Sequence, residues 1–375
     1  MFGALGRHAS VAFAAAPQGA PYRNLLVLVE MKGGNDGLNT VVPIDQPAYA
    51  RLRPKLAIAR DQAIVLTDRA ALHPSLAPLL PAWERRELAI LQGVGYPEPN
   101  LSHFRSIEIW ETASRSDQTL ADGWLARAFA RRPVPTGFAA DGVVIGGNDL
   151  GPLAGVGTRT IALSNPEQFL RRAKLAEPQG ERRNAALTHI LKTEGDIVQA
   201  AAHLDGNRAF ATAFPAGPFG TAVMTAARVI ANEAGVAVVH LSLGSFDTHA
   251  NQAPVQARLL GDLAQGLAAL ESALREIDRW DTTLVVTYAE FGRRPKENQS
   301  AGTDHGTASV HFALGGRVRG GLLGAAPVLD RVGEGNLAHA IDFRSVYATI
   351  LDRWWSADSH SVLGGKFETL PILRA

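Results

Sequence analysis

Carboxylates and histidines stand where several short apolar runs of this sequence end, and these residue types can together hold a divalent metal ion. The candidate metal ligands at these positions are Asp36, Asp247, His249, Glu290 and His305. Aspartate, glutamate and imidazole suit Zn²⁺, Mn²⁺ or Mg²⁺, whereas a cage of oxygen ligands suits Ca²⁺. Because several run ends carry such residues, we expect a site that holds one or two divalent ions.

Each of these residues also has a structural interpretation. Asp36 lies among glycines, where an aspartate can bond its own backbone in a turn. Asp247 precedes a helical pattern and can serve its N-terminus, and Asp304 and His305 lie in a Gly-rich loop with similar turn chemistry. Glu290 is different, because a carboxylate that directly ends a buried apolar strand is costly without a partner.

A second group of reactive residues, Ser102, His103 and Arg105, opens a predicted helix over residues 104–113. Ser102 occupies the N-cap position, where a hydroxyl can simply accept a bond from a free N–H group. The same N–H groups and the positive end of the helix dipole attract phosphate or sulfate. A serine there, beside a metal, can be the nucleophile of phosphoryl or sulfuryl transfer, with His103 in proton transfer and Arg105 as an anion clamp.

Three neighbours of the predicted ligands complete the candidate site: Asn35, Arg293 and Asp304. Other catalytic signatures are missing from the sequence. It contains no G-x-S-x-G elbow, so an α/β-hydrolase interpretation loses its main support. It also lacks a phosphate-binding G-x-x-x-x-G-K-[ST] loop and a G-x-G-x-x-G after a strand, so no motif indicates nucleotide binding.

Short apolar runs that alternate with helical patterns predict the elements that position these residues. The runs cover residues 24–31, 88–94, 143–145, 236–243 and 283–289, with a weaker one at 310–314. The helical patterns cover residues 74–87, 104–113, 184–204, 218–234, 255–280 and 343–355. This alternation is typical of an α/β fold with a mainly parallel central sheet and helices on both faces. Ligands bind beyond the carboxyl ends of the strands in such sheets, which is where the candidate residues stand.

The chain is expected to form a single domain over residues 24–375. Residues 114–220 are richer in Arg, Pro and helical pattern, which predicts a helical insertion or cap, and residues 315–335 predict loops or a small hairpin. Residues 1–23 contain Ala12-Phe13-Ala14, which fits a signal-peptidase site, and we interpret this segment as the remnant of an export signal or as a flexible tail.

Composition excludes several classes of partner. The 375 residues are 46% hydrophobic and 19% charged, so the chain can build a sizeable core. Thirty-seven basic residues against 36 acidic ones leave a net charge of +1, which disfavours a nucleic-acid or membrane-surface binder. No apolar stretch is long enough to span a membrane. Cysteine is absent, which excludes disulfides, thiolate metal ligands and a cysteine nucleophile.

In combination, these motifs resemble the bacterial family known as domain of unknown function 1501, whose members are typically exported and sulfatase-like. The segments that carry the resemblance are residues 33–39, 102–104 with Trp110, 246–249, 290–293, 302–306, 342–344 and 363–365. The order of elements is more distantly similar to the alkaline phosphatase and sulfatase superfamily. The resemblance implies an alkaline-phosphatase-like α/β fold.

Carried over by this resemblance, Asp36 is the early metal ligand and Ser102 the nucleophile. Asp247 with His249, Glu290 and His305 take the places of the later ligands. Two departures stand out: only one residue separates Asp247 from His249, and Phe291 stands where the superfamily usually has a histidine. Both place a full two-metal site in doubt. No Cys/Ser-x-Pro-x-Arg motif surrounds Ser102, which disfavours a true sulfatase mechanism.

The leading hypothesis is a metal-dependent hydrolase of phosphate or sulfate esters that works in the periplasm or outside the cell. Its substrate would be a small anionic ester or a decorated polysaccharide. The alternative is an exported binding or scaffolding protein that keeps the fold without turnover. A mutase-type isomerase of the same fold is a third possibility, for which the sequence offers no recognisable sugar-phosphate pocket.

Overall fold

The computed structural model describes residues 22–164, 208–232, 235–332 and 335–374. Nearly all of the predicted export-signal remnant or tail, and the predicted helix over residues 184–204, lie outside these ranges. Within them, no helix is both long and apolar enough to cross a membrane.

The described strands are numbered in chain order. They are β1 (Leu25–Met31), β2 (Val41–Val42), β3 (Ile64–Val65), β4 (Ala71–Leu72), β5 (Leu88–Gly95), β6 (Ala140–Ile145), β7 (Thr160–Leu163), β8 (Val236–Leu243), β9 (Thr283–Tyr288), β10 (Gly292–Arg293), β11 (His305–Gly306), β12 (Ser309–Leu314), β13 (Gly321–Leu323) and β14 (Ile341–Asp342).

The described α-helices are numbered in the same way. They are α1 (Gly37–Thr40), α2 (Pro47–Leu52), α3 (Leu80–Glu84), α4 (His103–Thr112), α5 (Trp124–Arg131), α6 (Pro218–Ile230), α7 (Gln252–Glu276), α8 (Phe343–Thr349) and α9 (Ser359–Leu363). Helix α8 continues as a π-helical segment over Ile350–Trp354, and 3₁₀ turns cover Pro74–Leu79, Gly151–Leu153, Trp280–Thr282 and Leu329–Arg331.

One nine-stranded sheet organises the molecule, in the order β13-β5-β12-β9-β1-β8-β6-β7, with β14 also paired to β5. The five strands from β9 to β7 in this order all run parallel to their neighbours. Strand β12 is the exception, since it runs antiparallel to both β5 and β9. The prediction of a mainly parallel α/β sheet is therefore confirmed.

Strand β1 shows why the apolar runs become central strands. All seven of its residues are buried, and successive side chains point to opposite faces of the sheet. Leu25, Val27 and Val29 join one hydrophobic core with α6 and α7, whereas Leu26 and Leu28 join the other core with α4 and α8. Burying each such side chain contributes about 1.5–3 kcal/mol, so both faces stabilise the strand. Helices on both faces were predicted and are present.

The structure adds detail to two expectations about organisation. Within the expected helical insertion or cap over residues 114–220, β6 and β7 extend the main sheet, while residues 165–207 lie outside the described ranges. The apolar residues at the end of β6 hold this part of the chain in the sheet, since Val143 pairs with Val239 in β8. In the region 315–335, where loops or a small hairpin were expected, most described residues lie in loops and turns, and β13 pairs in parallel with β5 as one more strand of the sheet.

Candidate functional site

The loops that leave β9, β1 and β8 meet at one edge of the sheet because these strands are neighbours and run in the same direction. Asp247 and His249 lie in the loop after β8, and Glu290 lies directly after β9. Helix α4 contributes His103 from its first position, and β11 contributes His305. Residues that are distant in sequence are thereby brought into contact.

The carboxylate of Asp247 is the centre of the candidate site. Its Oδ1 atom lies 3.0 Å from Nε2 of His249 and 3.2 Å from Nε2 of His305. Its Oδ2 atom lies 3.4 Å from Nε2 of His103. Partial burial acts to raise the pKa of Asp247, but the hydrogen bond and charge of Arg293, with smaller contributions from His305 and His249, lower this pKa to about 2. Asp247 is therefore an anion throughout the physiological range.

The three imidazoles present the same nitrogen to this centre because their other ring nitrogens face acceptors. Nδ1 of His103 lies 2.8 Å from the carboxylate of Glu290, and Nδ1 of His305 lies 2.8 Å from the carbonyl oxygen of Leu101. Nδ1 of His249 lies 3.7 Å from the carboxylate of Asp304. A carbonyl or carboxylate oxygen accepts, so Nδ1 of His103 and of His305 can carry the ring hydrogen, which would leave the Nε2 lone pairs of these two rings for a metal ion.

This arrangement fits a divalent metal ion. The donor atoms of His103, Asp247 and His305 lie within 4.8 Å of one another. Nε2 of His249 and Nε2 of His305 are only 2.9 Å apart, a close approach that is natural for two ligands of one ion. Nε2 of His103 is buried and has no hydrogen-bond partner, so it is an orphaned acceptor that a metal would satisfy. An imidazole-rich donor set favours Zn²⁺ or another transition metal over Ca²⁺ or Mg²⁺.

Arg293 locks the loops of the site to one another. Its guanidinium is buried and donates to Asp247 at 2.6 Å, to the Gly34 carbonyl at 2.8 Å and to the Thr303 carbonyl at 2.9 Å. It donates as well to the carbonyls of Gly33 and Phe246. The predicted site residue Arg293 therefore fixes the position of the central carboxylate rather than facing solvent.

Glu290 was predicted as a metal ligand, and the structure places it behind His103 instead. Its buried carboxylate accepts from the Gly33 N–H at 2.9 and 3.1 Å, besides facing Nδ1 of His103. Gly33 has φ +116°, and a Cβ there would lie 2.4 Å from the backbone nitrogen of Asp247. Only glycine allows this close approach, which brings its N–H to Glu290.

Asp36 does not fit its predicted role as a metal ligand. Oδ2 of Asp36 pairs with Nη1 of the buried Arg53 at 2.5 Å and also accepts from Gln252, while Oδ1 accepts from the Leu38 N–H at 3.1 Å. Oδ1 thus caps α1, and Oδ2 neutralises the buried guanidinium of Arg53. Asn35 is also buried, and its side-chain oxygen accepts from the Thr40 hydroxyl at 3.1 Å.

The residues at the start of α4 differ in their availability. Ser102 stands at the N-cap position, yet its side chain makes no capping hydrogen bond and is exposed. Arg105 is committed elsewhere, since Nη2 donates to the carbonyls of Arg115 and Ser116, both at 3.2 Å, and Nη1 pairs with Glu108 at 2.6 Å. The predicted anion clamp therefore holds a neighbouring loop of its own chain.

Phe291 occupies the place beside the imidazoles where the resemblance leads one to expect a further histidine. Its ring packs against His103 and His305, with centroids 4.8 and 4.5 Å away. An apolar ring in this position orients the two imidazoles and supplies no ligand atom. The described residues thus build one cluster of ligand atoms, around Asp247.

Sequence reasoning missed the backbone groups and two carboxyls near the site. The Leu101 carbonyl and the Gly33 N–H carry no signal in a side-chain pattern. Glu30 is hidden inside the first apolar run, where burial, opposed by Lys32, raises its pKa to about 7. Burial also raises the pKa of Glu111 to about 8, with the charges of Asp149 and Glu30 adding to the effect. A charged residue within an apolar run was the available signal for Glu30.

Comparison with known proteins gives a family and a set of distant likenesses. The family described as "Protein of unknown function (DUF1501)" matches residues 23–364 of the chain. No curated protein matches it.

Solved structures with some similarity include alkaline phosphatases and related enzymes. The lipoteichoic acid synthase LtaP from Listeria monocytogenes is 9% identical with a TM-score of 0.40, over 92% of this chain and 75% of that one. A phosphonate monoester hydrolase from Silicibacter pomeroyi is 10% identical with a TM-score of 0.43, over 94% and 78%. The alkaline phosphatase of Thermus thermophilus is 18% identical with a TM-score of 0.35, over 74% and 61%. Since these identities and scores are low, the function has to be derived from the site itself.

Proposed function

The chain belongs to the DUF1501 family of proteins of unknown function, and we propose that it is a metal-dependent hydrolase of phosphate or sulfate esters. In this proposal Asp247, His103, His249 and His305 hold a divalent ion, for which Zn²⁺ or Mn²⁺ suits the imidazoles best. His103 thereby takes the place that Asp36 and Glu290 were expected to fill.

One observation supports this proposal above all others. Three Nε2 atoms face one ionised carboxylate, and Nδ1 of His103 and of His305 each lie within hydrogen-bond distance of an acceptor supplied by a different loop. Orienting acceptors behind imidazoles that share a centre are typical of metal sites, where they fix the tautomer and the ring orientation.

The charge balance of these residues suits an anionic ester. Arg293 already pairs with the Asp247 carboxylate, and the imidazoles add no negative charge. A divalent ion held here supplies Lewis-acid polarisation of an ester oxygen and positive charge for the anionic group. The site lies at the carboxyl end of the parallel strands, which is where ligands of such sheets bind.

Ser102 is the candidate nucleophile because its hydroxyl is exposed, immediately precedes His103 and makes no capping hydrogen bond. The first N–H groups of α4 receive no side-chain cap from Ser102 and can donate to the oxygens of a phosphoryl or sulfuryl group. Attack by the Ser102 oxygen would form a bond to the phosphorus or sulfur atom and break its bond to the alcohol, which leaves with the serine proton. Water would then hydrolyse the seryl ester and regenerate the free hydroxyl. Direct attack by a solvent water is the alternative route.

We further propose that this activity is located in the periplasm or outside the cell. Support comes from the Ala12-Phe13-Ala14 segment, which has the small-x-small pattern of a signal-peptidase site. Fractionation of cells that express the full gene, followed by immunodetection, tests this proposal, and a purely cytoplasmic protein would contradict it.

The experiment for the central proposal combines metal analysis with turnover. We expect the protein, reconstituted with Zn²⁺ or Mn²⁺, to bind metal and to hydrolyse p-nitrophenyl phosphate or p-nitrophenyl sulfate. Asp247→Asn combined with His249→Ala should remove most of the bound metal and all of the turnover while preserving the fold, because the apolar strands carry the stability. His360→Ala, which changes an exposed histidine of α9, is the matched control.

Two results would separate this proposal from its alternative. Unchanged metal content in the double variant would refute the ligand assignment. Full metal occupancy without turnover of any phosphate or sulfate ester would favour the non-catalytic binding protein instead.

A further inference from the structure

An almost fully exposed aromatic residue directly follows His103, one of the candidate metal ligands, in the sequence. Among the described large apolar side chains only four are exposed: Val65, Val156, Val328 and Phe104. Phe104 is the aromatic one, and 90% of it is accessible to solvent. It directly follows His103, so its Cα lies about 3.8 Å from that of a candidate metal ligand.

The segment that carries Phe104 is held rigidly against the site. The Leu101 carbonyl accepts from His305, and His103 faces Glu290 and Asp247. One turn further along α4, the Ser106 hydroxyl donates to the Glu290 carbonyl. A flexible loop would let an exposed ring fold back onto the protein, whereas this anchored helix keeps the ring in solvent.

The candidate site itself is open to solvent on this side. The side chains of Asp247 and His249 are 44% and 45% exposed, and that of Asp304 is 54% exposed. Ser102, on the other side of His103, is exposed as well. A site formed by half-exposed side chains does not enclose a small ester, so most of any substrate must lie on the surface next to it.

From this juxtaposition we propose that Phe104 is a stacking platform for a sugar ring, so that the substrates are phosphate or sulfate esters carried on carbohydrate. This proposal rests on the proposed hydrolase function and specifies its substrate class. The apolar C–H face of a sugar ring matches the electron-rich face of the phenyl ring, while its hydroxyls suit the polar residues around it. The ester group would then reach the imidazoles while the ring lies on Phe104.

A protein partner is a poorer match for this surface. Stable protein interfaces bury about 800 Å² on each side around an apolar centre. Phe104 is a single ring, and Ser102, two residues before it, is polar and exposed. An isolated ring with a polar rim fits one sugar unit rather than the centre of a protein interface.

Binding of a sugar ester tests the platform without requiring turnover. Saturation-transfer NMR on the Zn²⁺-loaded protein with glucose 6-phosphate and glucose 6-sulfate should show transfer to the ring C–H protons. Phe104→Ala and Phe104→Leu should lose this transfer and weaken binding about fivefold, as expected for one aromatic contact. Phe104→Trp should retain it, and Val156→Ala, which alters an exposed apolar residue elsewhere, is the control.

The proposal is overturned if the wild-type protein shows no transfer to sugar protons, or if Phe104→Ala behaves like the wild type. A comparison of turnover then tests the Phe104 platform separately from the proposed hydrolase function. The ratio of kcat/KM for glucose 6-phosphate to that for methyl phosphate should fall about fivefold in Phe104→Ala. An unchanged ratio with good turnover contradicts the platform alone, whereas sugar contact without any turnover supports the platform and contradicts the hydrolase.

Discussion

Replacing Glu290 by Gln tests whether the acceptor behind His103 controls metal binding. Oε1 of Glu290 faces both Nδ1 of His103 at 2.8 Å and the Gly33 N–H at 2.9 Å, and Oε2 lies 3.1 Å from the same N–H. Glutamine offers one acceptor and one donor in their place. In either amide orientation, its NH₂ group must face the hydrogen of Gly33 or that of His103.

The magnitude follows from these contacts. Losing a hydrogen bond to a charged acceptor at this buried position costs about 1.5–3 kcal/mol of unfolding free energy. If the amide donates to Nδ1 of His103, the ring hydrogen moves to Nε2 and the lone pair that faces Asp247 is lost. Changes in such supporting groups typically weaken metal affinity by about 10–100-fold, and we expect Glu290→Gln to weaken Zn²⁺ binding by that factor.

A chelator-competition titration with Zn²⁺, run beside urea unfolding, measures both effects. Glu297→Gln is the matched control because the Glu297 carboxylate likewise accepts from backbone N–H groups, those of Lys55 and Leu56, but has no hydrogen bond to the histidines. That variant should lose stability without losing Zn²⁺ affinity. Wild-type affinity in Glu290→Gln, with the protein folded, would refute the supporting role.

Three further predictions concern neighbouring residues. Ser102→Ala should change the free energy of unfolding by less than about 0.5 kcal/mol in thermal melts, because the Ser102 side chain makes no capping hydrogen bond. The single-turnover rate constant should fall by several powers of ten, and a rate near that of the wild type would show that Ser102 is not the nucleophile. The folded-state pKa of Glu30 is raised from 4.5 to about 7, so the stability linked to this group is present below pH 4.5 and is lost as the pH rises through 7. In urea unfolding, the free energy of unfolding of Glu30→Gln relative to the wild type should therefore rise by about 2 kcal/mol between pH 5 and pH 8. An unchanged difference over this range would contradict the prediction. Asp36→Asn should lower the free energy of unfolding by about 3 kcal/mol in the same assay, because it leaves the buried Arg53 without its counter-ion. The variant should keep its Zn²⁺ affinity, and a loss of affinity would indicate that Asp36 is a metal ligand after all.

Much of the fold could be predicted because its signal is local. The apolar runs of β1, β5, β8, β9 and β12 each became a buried strand with nearly the predicted bounds. Strand β13 could not be predicted, since its three residues gain their place only by pairing with β5. The helix predicted over residues 74–87 became a 3₁₀ segment followed by the short α3, and Pro78 and Pro81 interrupt a regular helix there.

The candidate site was predictable in its location and less so in the role of each residue. Parallel strands bring their carboxyl ends together, which places Asp247 and His249 near His305. The orientation of Asp36 depends on Arg53, a buried partner that no motif reveals. Glu290 lies behind His103 because it accepts the Gly33 N–H, a backbone group that no side-chain pattern reveals.

X-ray absorption at the zinc edge of the reconstituted protein is the most direct test of the central claim. We predict a ligand shell of three imidazole nitrogens and at least one oxygen from Asp247, with the imidazole scattering reduced to two rings in His103→Ala. An oxygen-only shell, or three imidazoles that persist in His103→Ala, would contradict the assignment of His103, His249, His305 and Asp247 as the metal site.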